Sequence, residues 1–142
     1  MTFRQRPVDD NSSSGRRPGS DRSLHGPLQS FDLEAEVSRL REEKEWQEGR
    51  RNAITLRKGE GLSIVLLVMK AGDRLDEHFA PGPISLSIRE GRIRFTVMDE
   101  AVEVGTETML TCDAGVHHSV EALSDAVCLL HVTAGDTARG SG

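Results

Sequence analysis

The chain has 142 residues and a net charge of -5, from 18 Lys and Arg residues against 23 Asp and Glu residues. This length is typical of a single domain. No apolar run approaches the roughly 18 residues of a membrane span, and the first residues lack the apolar core of a secretory signal. An acidic chain that is 4% aromatic and has no tyrosine is not typical of nucleic-acid-binding proteins. We therefore expect no membrane and no nucleic-acid partner.

Residues 1–30 differ in composition from the rest of the chain. Twelve of them are Pro, Gly or Ser, and five are hydrophobic. Because so little apolar surface cannot offset the entropy of ordering the backbone, we expect a disordered tail over this segment. Residues 137–142 are predicted to form a flexible C-terminal end.

Residues 31–50 predict a short amphipathic helix. Apolar side chains recur along one face with the spacing i, i+4 and i+7, at Leu33, Val37 and Leu40. Asp32 is the candidate N-cap, and Gly49 is a stop signal. We expect this helix to cover one end of the following domain or to pair with a second subunit, with Trp46 as its anchor.

Residues 51–136 predict one domain of short β-strands. From residue 52 onward, apolar and polar side chains alternate with a period of two. Residues 62–69 are apolar on both faces, which is typical of a central strand. Glu90-Gly91 is a tight-turn signal between two later runs. About eight or nine short strands without an intervening helix indicate an antiparallel sandwich or barrel.

Two segments resemble the paired motifs of the cupin superfamily. Residues 72–91 resemble the first motif, which runs Gly, five residues, His-x-His, three or four residues, Glu, six residues, Gly; Gly72 lies six positions before His78. Residues 113–118 resemble the second motif, Pro-x-Gly, two residues, His. The resemblance covers residues 52–134. It implies an all-β fold, a cupin-like antiparallel β-barrel (double-stranded β-helix, or RmlC-like jelly roll) preceded by one short α-helix.

The resemblance also implies where a site would lie. A typical cupin binds its metal with two His and one Glu from the first motif and one His from the second. At the corresponding positions this chain has His78, Ala80, Ile84 and His118. We expect these four side chains to line a pocket, with His78 and His118 as the remaining metal ligands. Catalytic sites generally use three protein ligands. Cys112 is the candidate for the third, because it directly precedes the turn of the second motif, where the alternation of faces is interrupted.

Alternation of side chains along a strand predicts the neighbours of this pocket. Glu77, His117 and Glu121 should point outward if the motif residues point inward. His131 is predicted to be a core or rim histidine. An alternative stays open, in which side chains fill the barrel and the two motif histidines bond each other or a buried water.

Two functions follow from these residues. In the first, the protein binds a small organic or weakly acidic molecule in its barrel, as a metal-poor binding or regulatory module without a cofactor or catalytic residue. In the alternative, it is a metal-dependent enzyme of the dioxygenase, isomerase or decarboxylase type. There a divalent transition metal is held by His78, His118 and a non-standard third ligand. The incomplete ligand set favours the first.

Partners and compartment are predicted on two further observations. The resemblance implies a homodimer that forms through sheet edges, and a purely interactive role for the helix at residues 31–50 is a third possibility. Two cysteines, Cys112 and Cys128, are too few for a disulfide framework, so we expect a reduced, cytoplasmic protein.

Overall fold

A computed structural model describes residue 24 and residues 26–134 of the chain. Most of the predicted tail (residues 1–23 and 25) and the predicted C-terminal end (137–142) lie outside the described residues. Within the described part, two helices precede nine strands. Their bounds are α1 Leu33–Glu42, α2 Lys44–Gln47, β1 Arg51–Lys58, β2 Leu62–Met69, β3 Arg74–His78, β4 Ile84–Glu90, β5 Ile93–Val97, β6 Glu100–Val104, β7 Met109–Cys112, β8 His118–Ala122 and β9 Ala126–Thr133.

The strands form two antiparallel sheets. One has five strands in the order β1-β2-β9-β4-β7, and the other has four in the order β3-β8-β5-β6. Inward-facing side chains of both sheets form one apolar core, as the period-two alternation predicts. Its members include Leu67, Leu86 and Leu130 from the first sheet and Phe95 and Val120 from the second. The predicted all-β jelly-roll architecture is confirmed.

The strand β2 is apolar on both faces because each face is covered. Leu67 and Met69 point into the core between the sheets, whereas Leu66 and Val68 belong to a second cluster on the outer face. The helix α1 supplies the cover for that cluster. The prediction that residues 62–69 form a central strand is therefore confirmed, since β2 lies between β1 and β9.

The predicted helix is present, but Glu43 divides it. Asp32 caps α1 by accepting a hydrogen bond from the amide of Ala35 at 3.1 Å, and Val37 and Leu40 are buried against the sheet. Glu43 is extended, with ψ of 156°, so α1 ends before it and α2 is a separate turn. The helix covers the outer face of the five-stranded sheet, not an end of the barrel. No helix in the described part of the chain is long and apolar enough to cross a bilayer.

Trp46 in α2 anchors this segment, as predicted. It packs against the same outer cluster. The Arg41 guanidinium lies 5.8 Å and the Lys70 ammonium 5.0 Å from the centroid of its ring. These cation–π contacts tie both helices to the end of β2.

The last part of the predicted tail lies against β1. The amide of Lys58 donates to the carbonyl of Leu24 at 2.9 Å, and Leu24 packs against the outer cluster. The Arg57 guanidinium donates to the Gly26 carbonyl and to Gln29 Oε1. The predicted disorder therefore does not extend to Leu24, Gly26 and Gln29. These residues are held by donors of β1 and by the apolar surface of the outer cluster.

Candidate functional site

His78 and His118 lie side by side at one end of the four-stranded sheet. His78 ends β3, His118 begins β8, and the two are partners in the antiparallel register. Their ring centroids are 4.5 Å apart with the planes at 64°. The His118 ring also stacks on Phe95 at 4.8 Å and is 1% exposed. The structure thus brings the two motif histidines together, 40 residues apart in the sequence.

The same local bond orients each ring. His78 Nδ1 lies 2.6 Å from the carbonyl oxygen of Asp76, and His118 Nδ1 lies 3.1 Å from that of Val116. These distances fit Nδ1–H donation to the carbonyls, and Nε2 is then the ring nitrogen that points away from the backbone. The Nε2 atom of His118 is buried without a hydrogen-bond partner among the described residues, and that of His78 is buried as well.

His118 is held in its neutral form. Burial lowers its pKa below the ordinary value, and the neighbouring His78 acts in the same direction, while the bond to the Val116 carbonyl opposes them. At neutral pH this side chain is therefore an uncharged acceptor in an apolar setting.

Ala80 and Ile84 belong to the packed core. Each is 3% exposed, and both share the core cluster with Cys112, the register partner of Ile84. The amide of Gly115 donates to the Ala80 carbonyl at 2.9 Å, so the two motif loops are joined there. The hydrocarbon side chains of Ala80 and Ile84 offer no metal ligand.

The residues present do not fit a three-ligand metal centre. Among residues 24 and 26–134, no three His, Cys, Asp or Glu side chains come close enough to share an ion. Cys112 therefore does not complete the pair of imidazoles in this arrangement. Burial, with the charge of Asp113 adding to it, raises the pKa of the Cys112 thiol, which disfavours the thiolate that a metal would need.

The remaining predictions from strand alternation agree with the structure. Glu77 and His117 are exposed, and Glu121 is half-buried on the outer face. His131 is half-buried with its Nδ1 3.4 Å from Ser85 Oγ, which fits a rim histidine. Both cysteines are free thiols, and burial raises the pKa of Cys128 to about 12.

Side chains fill the space between the sheets. The void there measures about 10 Å³, less than an organic molecule needs, and all of its lining is apolar: Leu67, Leu75, Leu86, Phe95, Val120, Cys128 and Leu130. The expected pocket inside the barrel is therefore closed at this level, because large aliphatic side chains from both sheets meet there.

An open groove lies instead where the chain crosses from one sheet to the other. The edge strand β6 belongs to the four-stranded sheet, and β7, next in the sequence, is the edge of the five-stranded sheet. Between them is a space of about 470 Å³. It is lined by Phe95, Val97, Glu100, Val102, Leu110, Thr111, Cys112, Asp113 and Val116. We call this space the β6–β7 groove.

Phe95 connects the groove with the histidine pair. Its ring lines the β6–β7 groove and stacks on the ring of His118. Of the groove residues, the sequence predicts a functional role for Cys112, but as a metal ligand. The alternation of Phe95 and Val97 with polar neighbours marks them as inward-facing, but nothing in the sequence indicates that β6 and β7 would be the walls of one space.

Comparisons with known proteins identify the fold. No protein-family model and no curated protein matches the chain. An RmlC-like cupin protein from Desulfovibrio desulfuricans is 21% identical, with a TM-score of 0.60 over 75% of this chain and 96% of its own. A cupin superfamily protein from Desulfitobacterium hafniense is 18% identical, with a TM-score of 0.58 over 60% of this chain and 78% of its own.

An enzyme is also among the similar structures. Oxalate decarboxylase of Bacillus subtilis, which has Mn(II) centres, is 26% identical with a TM-score of 0.52 over 60% of this chain and 25% of its own. Because the chain spans a quarter of that enzyme, the similarity concerns one barrel. The three structures together confirm the cupin fold that the two motifs implied.

Proposed function

We propose that this protein with a cupin fold binds a small organic molecule in the β6–β7 groove, as a binding or regulatory module that does not depend on metal. The observation that carries this proposal is the form of the groove. Five apolar side chains and a few polar groups surround about 470 Å³, and small-molecule sites in proteins have this size and composition. The filled interior favours the groove over a site deeper in the barrel.

In this proposal His78 and His118 do not contact the ligand directly, because Phe95 lies between His118 and the groove. His118 is 1% exposed, so a ligand in the groove would affect its ring indirectly, by contact with the Phe95 ring that stacks on it. Displacement of the Phe95 ring would change the stacking on His118 and, through it, the contact with His78. Ligand binding would thereby alter the loop after His78, and such a change is what a regulatory module needs.

We also propose that the protein is cytoplasmic. Both cysteines are free and buried, and Cys128 lines the interior void, where a thiol packs as a small apolar group. A reducing compartment suits that arrangement.

The experiment compares two substitutions to glutamine on neighbouring edge strands. Val102 lines the groove and is 45% exposed, whereas Met109 is 59% exposed and outside the groove lining. Since both side chains are partly in water, both variants should fold. Neutral aromatic fragments are added to isotope-labelled protein, and amide NMR shifts are followed residue by residue.

We expect shifts at β5, β6 and β7. Val102→Gln should weaken binding about fivefold, because a buried aliphatic contact is worth roughly 1 kcal/mol. Met109→Gln should leave the affinity unchanged. Shifts that cluster elsewhere, equal effects of both variants, or no binding at millimolar fragment concentrations would each show that the proposed function is wrong.

A further inference from the structure

We propose that the molecule bound in the β6–β7 groove is a small organic cation, an amine attached to an apolar group. This inference rests on the proposed function and adds the chemical class of the ligand. The observation behind it is the charge of the lining. Glu100 and Asp113 both line the groove, and none of the described residues that line it is a Lys, Arg or His.

The segment that forms the walls of the groove contains few cations. Residues 93–116, which form the walls of the groove, contain one Arg and five Asp or Glu residues. The single cation, Arg94, points to the outer face of the sheet, since strand neighbours alternate and Phe95 points inward. There it lies 3.5 Å from Glu103 and 3.2 Å from Glu121. It is therefore not placed to neutralise the groove.

Among residues 24 and 26–134, Glu100 and Asp113 have no counter-charge of their own. Neither takes part in any of the ion pairs formed within the described residues. Both side chains are exposed to solvent. The charge of Asp113 also acts on the groove wall. Burial of the Cys112 thiol raises its pKa, and the neighbouring negative charge of Asp113 raises it further.

This field selects among ligands that share the same apolar group. The apolar walls would accept any small hydrophobic molecule, but two like-signed charges beside a surface of lower dielectric attract a cation and repel an anion. The weakly acidic ligand expected from the sequence is therefore disfavoured. That expectation assumed imidazoles as the polar contacts, whereas the polar contacts of the groove are carboxylates.

The test uses three probes that differ in one group: phenylbutylamine, phenylbutanol and phenylbutyrate. Their affinities for the full-length protein are measured at neutral pH and low salt by calorimetry and by amide NMR shifts. We expect the amine to bind most tightly and the acid most weakly. Glu100→Gln and Asp113→Asn should each weaken amine binding about threefold, and the double variant about tenfold, with alcohol binding unchanged. Added salt should also weaken amine binding, because it screens the attraction between the carboxylates and the ammonium group.

Glu60→Gln is the matched control. Glu60 is an exposed carboxylate in the turn between β1 and β2, outside the groove lining. Its replacement should leave the affinity for all three probes unchanged, which separates a local effect from one of net charge. Because Glu100, Asp113 and Glu60 are all exposed, the thermal midpoints of the variants should match that of the wild type and so report intact folding.

The outcomes distinguish the two proposals. If the alcohol binds as tightly as the amine, or the acid binds more tightly, the inference about charge is overturned and the groove remains the binding site. An amine preference that survives the double variant overturns it as well. If none of the probes shifts a groove residue in any variant, the proposed function fails together with the inference.

Discussion

At position 118 an imidazole is held out of contact with water, 1% exposed between Phe95 and His78. A protonated ring there would lose its hydration and would lie next to a second imidazole. The fold therefore favours the neutral ring, which is why the pKa of His118 is lowered from 6.5.

The lowered pKa predicts how stability changes with pH. The unfolded chain takes up a proton at this ring near pH 6.5, and the folded protein does so only at lower pH. The contribution of His118 to the free energy of unfolding is thus complete above about pH 7 and is lost as the pH falls through the folded pKa. We expect urea unfolding at about pH 7.5 and about pH 5 to show this loss in the wild type.

Variants at two adjacent histidines separate this effect from the general effect of acid. His118→Phe, which can keep the stacking on Phe95, should lose a smaller part of its stability between the two pH values. His117→Gln, at an exposed position, should behave as the wild type does. Equal losses in wild type and His118→Phe would contradict the lowered pKa.

The sequence predicts the position of the histidine pair but not that of the residues that line the β6–β7 groove. His78 and His118 are recognisable because a known motif and strand alternation both place them inward. Glu100, Val102 and Asp113 are not, because they line one groove only where two sheet edges meet, and periodicity within a strand carries no information about that.

At the scale of single elements, the turn between β4 and β5 requires glycine at position 91 for two reasons. Gly91 has a φ of +83°, which disfavours residues with a Cβ atom. A Cβ atom would also lie 2.8 Å from Ser124 Oγ and 2.9 Å from Ala126 Cα. The turn is thus packed directly against the segment that leads into β9.

A second glycine separates these two contributions. Gly115 has a φ of +76°, but among the described residues no atom beyond its own chain neighbours lies within 4 Å of a Cβ built there. We expect Gly115→Ala to lower the free energy of unfolding by about 1 kcal/mol, the conformational cost alone. Gly91→Ala should cost about 3 kcal/mol, since the close approach adds to it. Urea unfolding of both variants measures this, and equal costs would show that the backbone around Gly91 relaxes.

The bounds of elements are predictable where one period dominates. The strands follow the alternation because each sheet has a core face, and α1 follows its apolar stripe. The break at Glu43 and the packing of Leu24 on β1 are not predictable in this way. Both depend on contacts outside the element itself, such as those of the Asn52 side-chain amide, which donates to the Leu40 carbonyl at the end of α1 and to Glu43 Oε1.

At the scale of the whole molecule, the fold is predictable from two motifs and the proposed ligand site is not. The motifs determine how β3, β4 and β8 are arranged, and the cupin fold follows. The groove arises because the chain changes sheets between Val104 and Met109. No motif residue marks that crossing.

The homodimer inferred from the resemblance remains a proposal. The edge strands β1, β7, β3 and β6 end the two sheets, and an edge strand presents backbone groups that can pair with another chain. We expect light scattering of the full-length protein to give twice the chain mass of 15.6 kDa. The single-chain mass at every concentration tested would contradict a dimer.

The central claim is that a small molecule binds in the β6–β7 groove without a metal ion. The most direct test is the affinity of the tightest-binding probe for chelator-treated protein, measured before and after addition of Mn²⁺ or Zn²⁺. Because two imidazoles without a third ligand hold divalent ions weakly, we predict the same affinity in both conditions. Binding that appears only after a metal ion is added, and is lost in His118→Ala, would contradict the account.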